Sequence, residues 1–360
     1  MKKKKQKGAW KRPVASVLGM VLVIGLTIVG TLAFLHTESG TKTNVFTGTN
    51  DIKLYLEEPK YNLLEEQGDD GSTTGYVLKD SSKLDPREYV PGETYGKDPT
   101  LYNTTGMQTK KYKGEDGTKE TTEYAEEWVA MRVDYGIIGT DGTTTPVTHD
   151  QLTHDCTDDD CGAGCAGGYN GKGGIIESIV FDEEVLSDDT KNGYWIRIPR
   201  ETISTAYDEN AKYDIFVYKY KLKAEDGFLE TSITGPETAA KDLTDPDKAT
   251  KFNTLTTTLY DLPVSSGVGS DHTGNGVRTS SLFSSIVIKD QEQLLTNGYD
   301  IANLQKFEIK LTGAAIKVMP TNDLDAINQS DVTATVGSDG KTTSRLIVED
   351  LVSLLVDSTD

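Results

Sequence analysis

Five side chains able to bind metal or cycle redox state fall close together: His149, His154, Cys156, Cys161 and Cys165. They include all three cysteines of the chain, and Asp155, Asp158, Asp159 and Asp160 surround them with negative charge. The spacing His-x-Cys-x4-Cys-x3-Cys from His154 to Cys165 offers three thiolates and an imidazole to one Zn²⁺, and the aspartates add to the field that draws a cation. The same residues fit an exposed loop with one disulfide and one leftover thiol, which an odd cysteine count outside the cell permits. The spacing is not a common structural-zinc pattern, which weighs toward the loop, and no metal or other cofactor is expected. The cysteines are too close in sequence for a disulfide among them to staple distant parts of the fold.

Other catalytic signatures fail on their context. Gly162-Ala163-Gly164-Cys165-Ala166-Gly167 satisfies G-x-G-x-x-G on paper, but no strand pattern precedes it, no helix pattern follows it, and it runs into Gly168-Tyr169-Asn170-Gly171-Lys172-Gly173-Gly174. The histidines are His36, His149, His154 and His272, so no i, i+4 pair exists for a zincin site, and no G-x-S-x-G elbow occurs. Asp69-Asp70-Gly71, Asp188-Asp189 and Asp245-Pro246-Asp247 carry carboxylates but do not fit the EF-hand loop; they read as solvated turns. The expectation is a protein that is not an enzyme.

The elements that must position these residues read as strands. Ile52, Leu54 and Leu56 alternate with Lys53 and Tyr55; Val129, Met131 and Val133 alternate with Ala130, Arg132 and Asp134. Phe307, Ile309 and Leu311 alternate with Glu308, Lys310 and Thr312. Period two places one set of side chains on a buried face and the other in water. Tyr194 to Ile198, Tyr213 to Leu222 and Leu282 to Ile288 add further strands, separated by Gly, Asp, Asn, Ser and Thr clusters. Pro91-Gly92 fixes φ at one residue and frees it at the next, which suits a tight turn feeding a strand. This pattern predicts an all-β fold, a jelly-roll-like β-sandwich with long loop insertions, the cysteine-containing one at about 139–174.

Ahead of the strands, residues 2–12 carry seven Lys and Arg, and the 22 residues from Val14 to Leu35 carry no charge. A basic segment before an apolar core closed by Thr31-Leu32-Ala33 has the form of a secretory signal helix, residues 1–33. An uncleaved membrane anchor is the alternative, although Gly19, Gly25 and Gly30 interrupt the run. In either case the rest of the chain is expected outside the cell. Without residues 1–33 the chain keeps 30 basic and 57 acidic residues, a formal charge of −27. Such a charge repels nucleic acid and anionic membranes.

Ala33-Phe34-Leu35-His36-Thr37, Thr43-Asn44-Val45-Phe46-Thr47-Gly48 and Asn50-Asp51-Ile52-Lys53-Leu54 together resemble the N-termini of TasA and camelysin-like proteins of Gram-positive bacteria. The resemblance continues through Pro91-Gly92-Glu93-Thr94, Lys97-Asp98-Pro99, Tyr102-Asn103-Thr104, Trp128 to Val133, Thr279 to Ile286 and Glu308 to Ile316, covering residues 20–325 as short motifs between unmatched insertions. It implies export through a SipW-type signal peptidase, with Ala33 and Phe34 at or beside the cut; His36 departs from the acidic or amide residue the family often has there. Camelysin-like proteins have been classed as metallopeptidases, and the absence of H-E-x-x-H speaks against that activity for this sequence. The resemblance also implies self-association into fibres, in which the freed N-terminal strand of one subunit completes the sheet of the next.

Residues 331–360 are expected as a C-terminal tail beyond a domain of residues 34–330, with Leu346 to Val356 forming a short amphipathic helix or an added strand. Glu349-Asp350 and its length rule out a membrane span there. No Leu-Pro-x-Thr-Gly sorting pattern is present. The sequence therefore predicts a secreted structural protein of the cell surface or biofilm matrix. A monomeric cell-surface module binding carbohydrate or a host ligand, through loops at 140–174 and 224–278, is the alternative.

Overall fold

The structure, a computed structural model, describes residues 89–105, 125–155, 167–183, 193–200, 207–224, 262–266, 276–333 and 342–357. It also describes Ile203 and the strands at 32–34, 43–46, 54–57, 63–67, 73–78, 108–114 and 117–123. The expected signal helix ahead of Leu32 lies outside the described residues.

In chain order the strands begin with β1 (Leu32–Phe34), β2 (Thr43–Phe46), β3 (Leu54–Glu57), β4 (Leu63–Gln67) and β5 (Thr73–Leu78). Next come β6 (Thr94–Gly96), β7 (Thr100–Asn103), β8 (Gln108–Gly114), β9 (Gly117–Glu123), β10 (Glu126–Ile138) and β11 (Thr144–Val147). The last are β12 (Ile176–Phe181), β13 (Trp195–Arg197), β14 (Tyr213–Tyr218), β15 (Leu222–Lys223), β16 (Phe283–Ile288) and β17 (Lys306–Lys317). Four α-helices are described: α1 (His149–Thr153), α2 (Gln291–Thr296), α3 (Gln329–Thr333) and α4 (Thr343–Asp357). The class is all-β, as the alternating pattern predicts, and the described strands pair antiparallel except β2 on β17.

The largest sheet runs β1-β17-β10-β14-β13, with β11 and β15 also on β10 and β2 also on β17. Its spine is the antiparallel pair β10 and β17, in register without a slip from Glu127 opposite Lys317 to Ile138 opposite Lys306. Smaller sheets are β12-β16-β6, β3-β7, β4-β5 and β8-β9. Turn chemistry sets several of the joins. Gly92, at φ +82, follows Pro91, and Glu93 N–H donates to Val90 C=O at 3.2 Å just before β6, the turn read from the sequence. Between β10 and β11, the Asp141 carboxylate accepts from Thr143 N–H at 3.0 Å, and Gly142 sits at φ +81.

Both faces of β10 are buried, where strict alternation predicts one face in water. Val129, Met131, Val133, Tyr135 and Ile137 join a core cluster with Leu54, Leu56, Leu101, Phe283 and Ile286 of the smaller sheets. Trp128 and Ala130, on the opposite face, pack in a second cluster with Ile215, Val217, Ala314 and the α4 residues Ile347, Val348, Leu351, Val352 and Leu355. The segment expected as a tail is thus the helix that covers the sheet. Its apolar stripe at 347, 348, 351, 352 and 355 has the i, i+4 spacing of one helical face. Thr342 starts it as N-cap, its hydroxyl accepting from Arg345 N–H at 3.2 Å. Arg132, on β10, donates from Nη1 to Leu355 C=O at 2.9 Å, setting a cation at the carbonyl end of α4.

Leu351→Ala is expected to lower unfolding stability in urea by about 2–5 kcal/mol, the range for emptying a packed core site. Leu346→Ala, on the same helix but 48 % exposed, is expected to stay within about 0.5 kcal/mol of the unsubstituted chain. Equal effects would mean that α4 does not pack as described.

Candidate functional site

The N-terminal strands and the residues expected at the signal cut meet on one edge of the spine. β17 gives one edge to β10; on the other lie β1, antiparallel, and β2, parallel. Leu32 stands opposite Lys310, Ala33 opposite Ile309 and Phe34 opposite Glu308. Further along, Thr43 to Phe46 run beside Thr312 to Ala315. The chain therefore reverses direction between Phe34 and Thr43. Ala33 and Phe34, named from sequence as flanking the cut, are placed inside a strand of the main sheet. At the same stretch Gly313 lets the layers close: a Cβ there would come within 2.8 Å of Leu101 Cδ2 and 3.1 Å of Leu54 Cδ2.

A second constellation joins the main sheet to the sheet containing β12. Glu183, just after β12, accepts from Arg197 Nε at 2.7 Å. Arg197 Nη1 is 3.7 Å from Asp214 Oδ2, and its guanidinium lies 4.9 Å from the ring centres of both Phe181 and Phe216. Asp214 also accepts from Arg200 Nη2 at 3.0 Å and from the Tyr135 hydroxyl at 2.9 Å. Backbone supports the same join, with Trp195 N–H donating to Asp182 C=O at 3.1 Å. On the opposite face of the main sheet, Arg132 pairs with Asp134 through Nε at 2.9 Å and stacks 3.6 Å over the Tyr213 ring. Chemically, these groups neutralise one another across a packed junction.

Burial, with Asp214 second, pushes the Tyr135 phenol well above its ordinary range. Burial likewise pushes Tyr207 up to about 12, again with Asp214 adding to the effect. For Arg197 burial acts to lower the value, but Asp214 and Glu183 outweigh it and hold the guanidinium above its ordinary value.

The histidines of the cysteine-rich stretch are placed apart in role. His149 opens α1, its ring edge-on to Tyr135 at 5.6 Å and near Phe181 at 6.0 Å, within the aromatic packing. His154 follows α1 and lies against Gly167, whose added Cβ would come within 2.6 Å of the imidazole. Lys289, 2 % exposed, donates to His154 C=O at 3.0 Å and lies 3.9 Å from Asp155 Oδ1. Cys156, Cys161 and Cys165 lie outside the described residues, as do Asp158, Asp159 and Asp160. Among the described residues, no group of three or more His, Cys, Asp or Glu is placed to hold a metal ion.

Part of the stretch expected as a loop insertion is regular. β11 pairs with β10, and Leu152 of α1 is fully buried. Thr148 and Gln151 close a capping box at the start of that short helix. Asn170 and Gly171, at φ +53 and +74, make the tight turn between Tyr169 and Lys172. The glycine run leads into β12 and packs its backbone on α1, with Gly174 N–H donating to His154 C=O at 2.7 Å. A phosphate-binding glycine loop instead runs from a strand into a helix.

Sequence reading singled out none of Glu183, Arg197, Asp214 or Arg200. The available signal was charge inside apolar runs, as in Trp195-Ile196-Arg197-Ile198 and Tyr213-Asp214-Ile215-Phe216.

No protein-family model, curated protein or solved structure matches the chain.

Two outcomes are expected from this geometry. Asp214→Ala leaves two guanidiniums and the Tyr135 hydroxyl without their shared acceptor; because Arg197 and Arg200 are 34 % and 27 % exposed, the expected loss is discounted to roughly 2–3 kcal/mol in urea unfolding. The raised phenol values of Tyr135 and Tyr207 mean that these side chains fold neutral. Their contribution is intact below the ordinary tyrosine value of about 10 and is lost as pH rises through the higher folded values. Absorbance of ionised tyrosine and loss of circular dichroism should therefore rise together above about pH 10; complete tyrosine ionisation in a folded chain would contradict the burial.

Proposed function

We propose that the chain is a secreted, non-enzymatic structural protein of the TasA/camelysin-like kind, acting at the cell surface or in an extracellular biofilm matrix. Its strands are read as a jelly-roll-like β-sandwich behind an N-terminal signal helix. A SipW-type signal peptidase is the processing partner, with Ala33 and Phe34 at or beside the cut. Subunits join into fibres by strand exchange.

The observation that carries this reading is the placement of β1 and β2 on the outer edge of β17. A strand edge presents main-chain donors and acceptors to any extended segment, and N-terminal strands held there in the same chain are suited to pair with the equivalent edge of a neighbour. Support also comes from the signal-like N-terminus and the ordered series of family-like motifs.

The test is intact mass and electron microscopy of protein taken from the culture medium and surface of its natural host. A mass starting near Phe34 together with filaments is expected, and deleting residues 34–50 should abolish the filaments. Dispersed monomers with the right mass would transfer the reading to a surface-binding module. An uncut chain in the membrane fraction would make the apolar run an anchor.

A further inference from the structure

The smaller sheet β12-β16-β6 has one face in the core and the other open. Its inner row, Ile179, Ile286 and Tyr95, packs in the first core cluster. Two cross-strand rows point the other way: Ser178, Val287 and Thr94 in one, Val180, Ser285 and Gly96 in the other. Thr94, Gly96 and Val180 are exposed, Val180 to 47 %, and Ser178, Ser285 and Val287 are half-buried. None of the six carries a charge, on a chain with 57 acidic residues and a formal charge of −20. Nothing within the chain requires glycine at position 96: its φ is not positive, and an added Cβ would meet nothing within 4 Å. Glycine inside a strand weakens it, and such a glycine often marks a place where another backbone comes close.

We propose that this open face packs on the same face of a second copy, about a two-fold axis that runs parallel to β16 and above it. β16 is the middle strand, so Val180 and Gly96 stand on either side of Ser285 in one row, each about 4.8 Å away across the sheet. A half-turn about that axis sets Val180 of each copy over Gly96 of the other, and Val287 over Val287. The exposed valine is the knob and the bare glycine the hole, twice in one contact. Charge selects the same occupant. Two chains of formal charge −20 repel wherever charged surface meets charged surface, and an uncharged face is where they approach with least repulsion. Three strands by two rows cover about 14 by 14 Å, roughly 200 Å² per copy, against the roughly 800 Å² per partner of a stable complex. The contact is therefore weak. No residue of β1 or β2 belongs to this face, so the pairing is separate from the strand exchange proposed above.

The test is sedimentation equilibrium of the full chain with a reductant present, in a neutrally buoyant detergent so that protein alone sets the mass. The mass of the unsubstituted chain should climb from one copy toward two as concentration rises, and more readily in high salt, which screens the repulsion between like-charged chains. Gly96→Val fills the hole while meeting nothing within its own chain. Its urea midpoint should therefore hold or rise, while the clash with Val180 of the second copy weakens association roughly tenfold or more. Adding Val180→Gly to Gly96→Val exchanges knob and hole, and the same two-fold axis then brings them together again, so association should return. One copy at every concentration, or association of Gly96→Val equal to that of the unsubstituted chain, would overturn the proposal. A folded exchange variant that associates no better than Gly96→Val would overturn the two-fold arrangement.

Discussion

The spine of β10 and β17 is the constraint on which the other elements depend. From Glu127 opposite Lys317 to Ile138 opposite Lys306, every pair keeps one register. A slip by one residue would move Val129, Met131 and Val133 to the α4 side and Trp128 and Ala130 to the other. Because apolar residues fill both faces, such a slip exchanges large groups for small ones and strands Arg132 and Asp134 in the wrong layer. Two-sided packing therefore fixes register more tightly than a half-wet strand would. The edges of the spine are then defined, β14, β11 and β15 on one side and the N-terminal strands on the other.

Charge is used in this fold where layers join. Arg197, beside the stacked rings of Phe181 and Phe216, links Glu183 of one sheet to Asp214 of another, while Arg132 links a central strand to the carbonyl end of α4. A guanidinium suits both places because its flat face packs on rings while its edge donates in several directions. Lysine at Arg197 would keep the charge and lose the stacked plane.

Much of the strand content was legible in the sequence because period two is a local signal. Val129 to Asp134 and Phe307 to Thr312 fall within strands, as does the expected Leu282 to Ile288 apart from Leu282 itself, and the Pro91-Gly92 turn has the dihedral that its residues require. What could not be read is which layer covers a face. Arg132 and Asp134 look like the solvent side of a strand until a helix more than two hundred positions away lies over them. The helix itself was half legible: Leu346 to Val356 is apolar enough for helix or strand, and only the second cluster decides between them. The charged junction was missed for the same reason, since Glu183, Arg197 and Asp214 are brought together by the crossing of two sheets and share no local spacing.

The contact between Arg132 and the Leu355 carbonyl joins residues 223 positions apart. Two of the elements packed on β10 arrive late as well: β17 begins at Lys306 and α4 at Thr343. A polypeptide made or threaded from its N-terminus therefore carries the face of β10 with Trp128 and Ala130 uncovered until α4 has emerged. Long-range pairing of this kind is slow, and its unfinished forms present sticky surface. Emergence of α4 acts as a clock for folding, and a product truncated before residue 343 would retain a spine with one bare apolar face, fit for a chaperone or a protease.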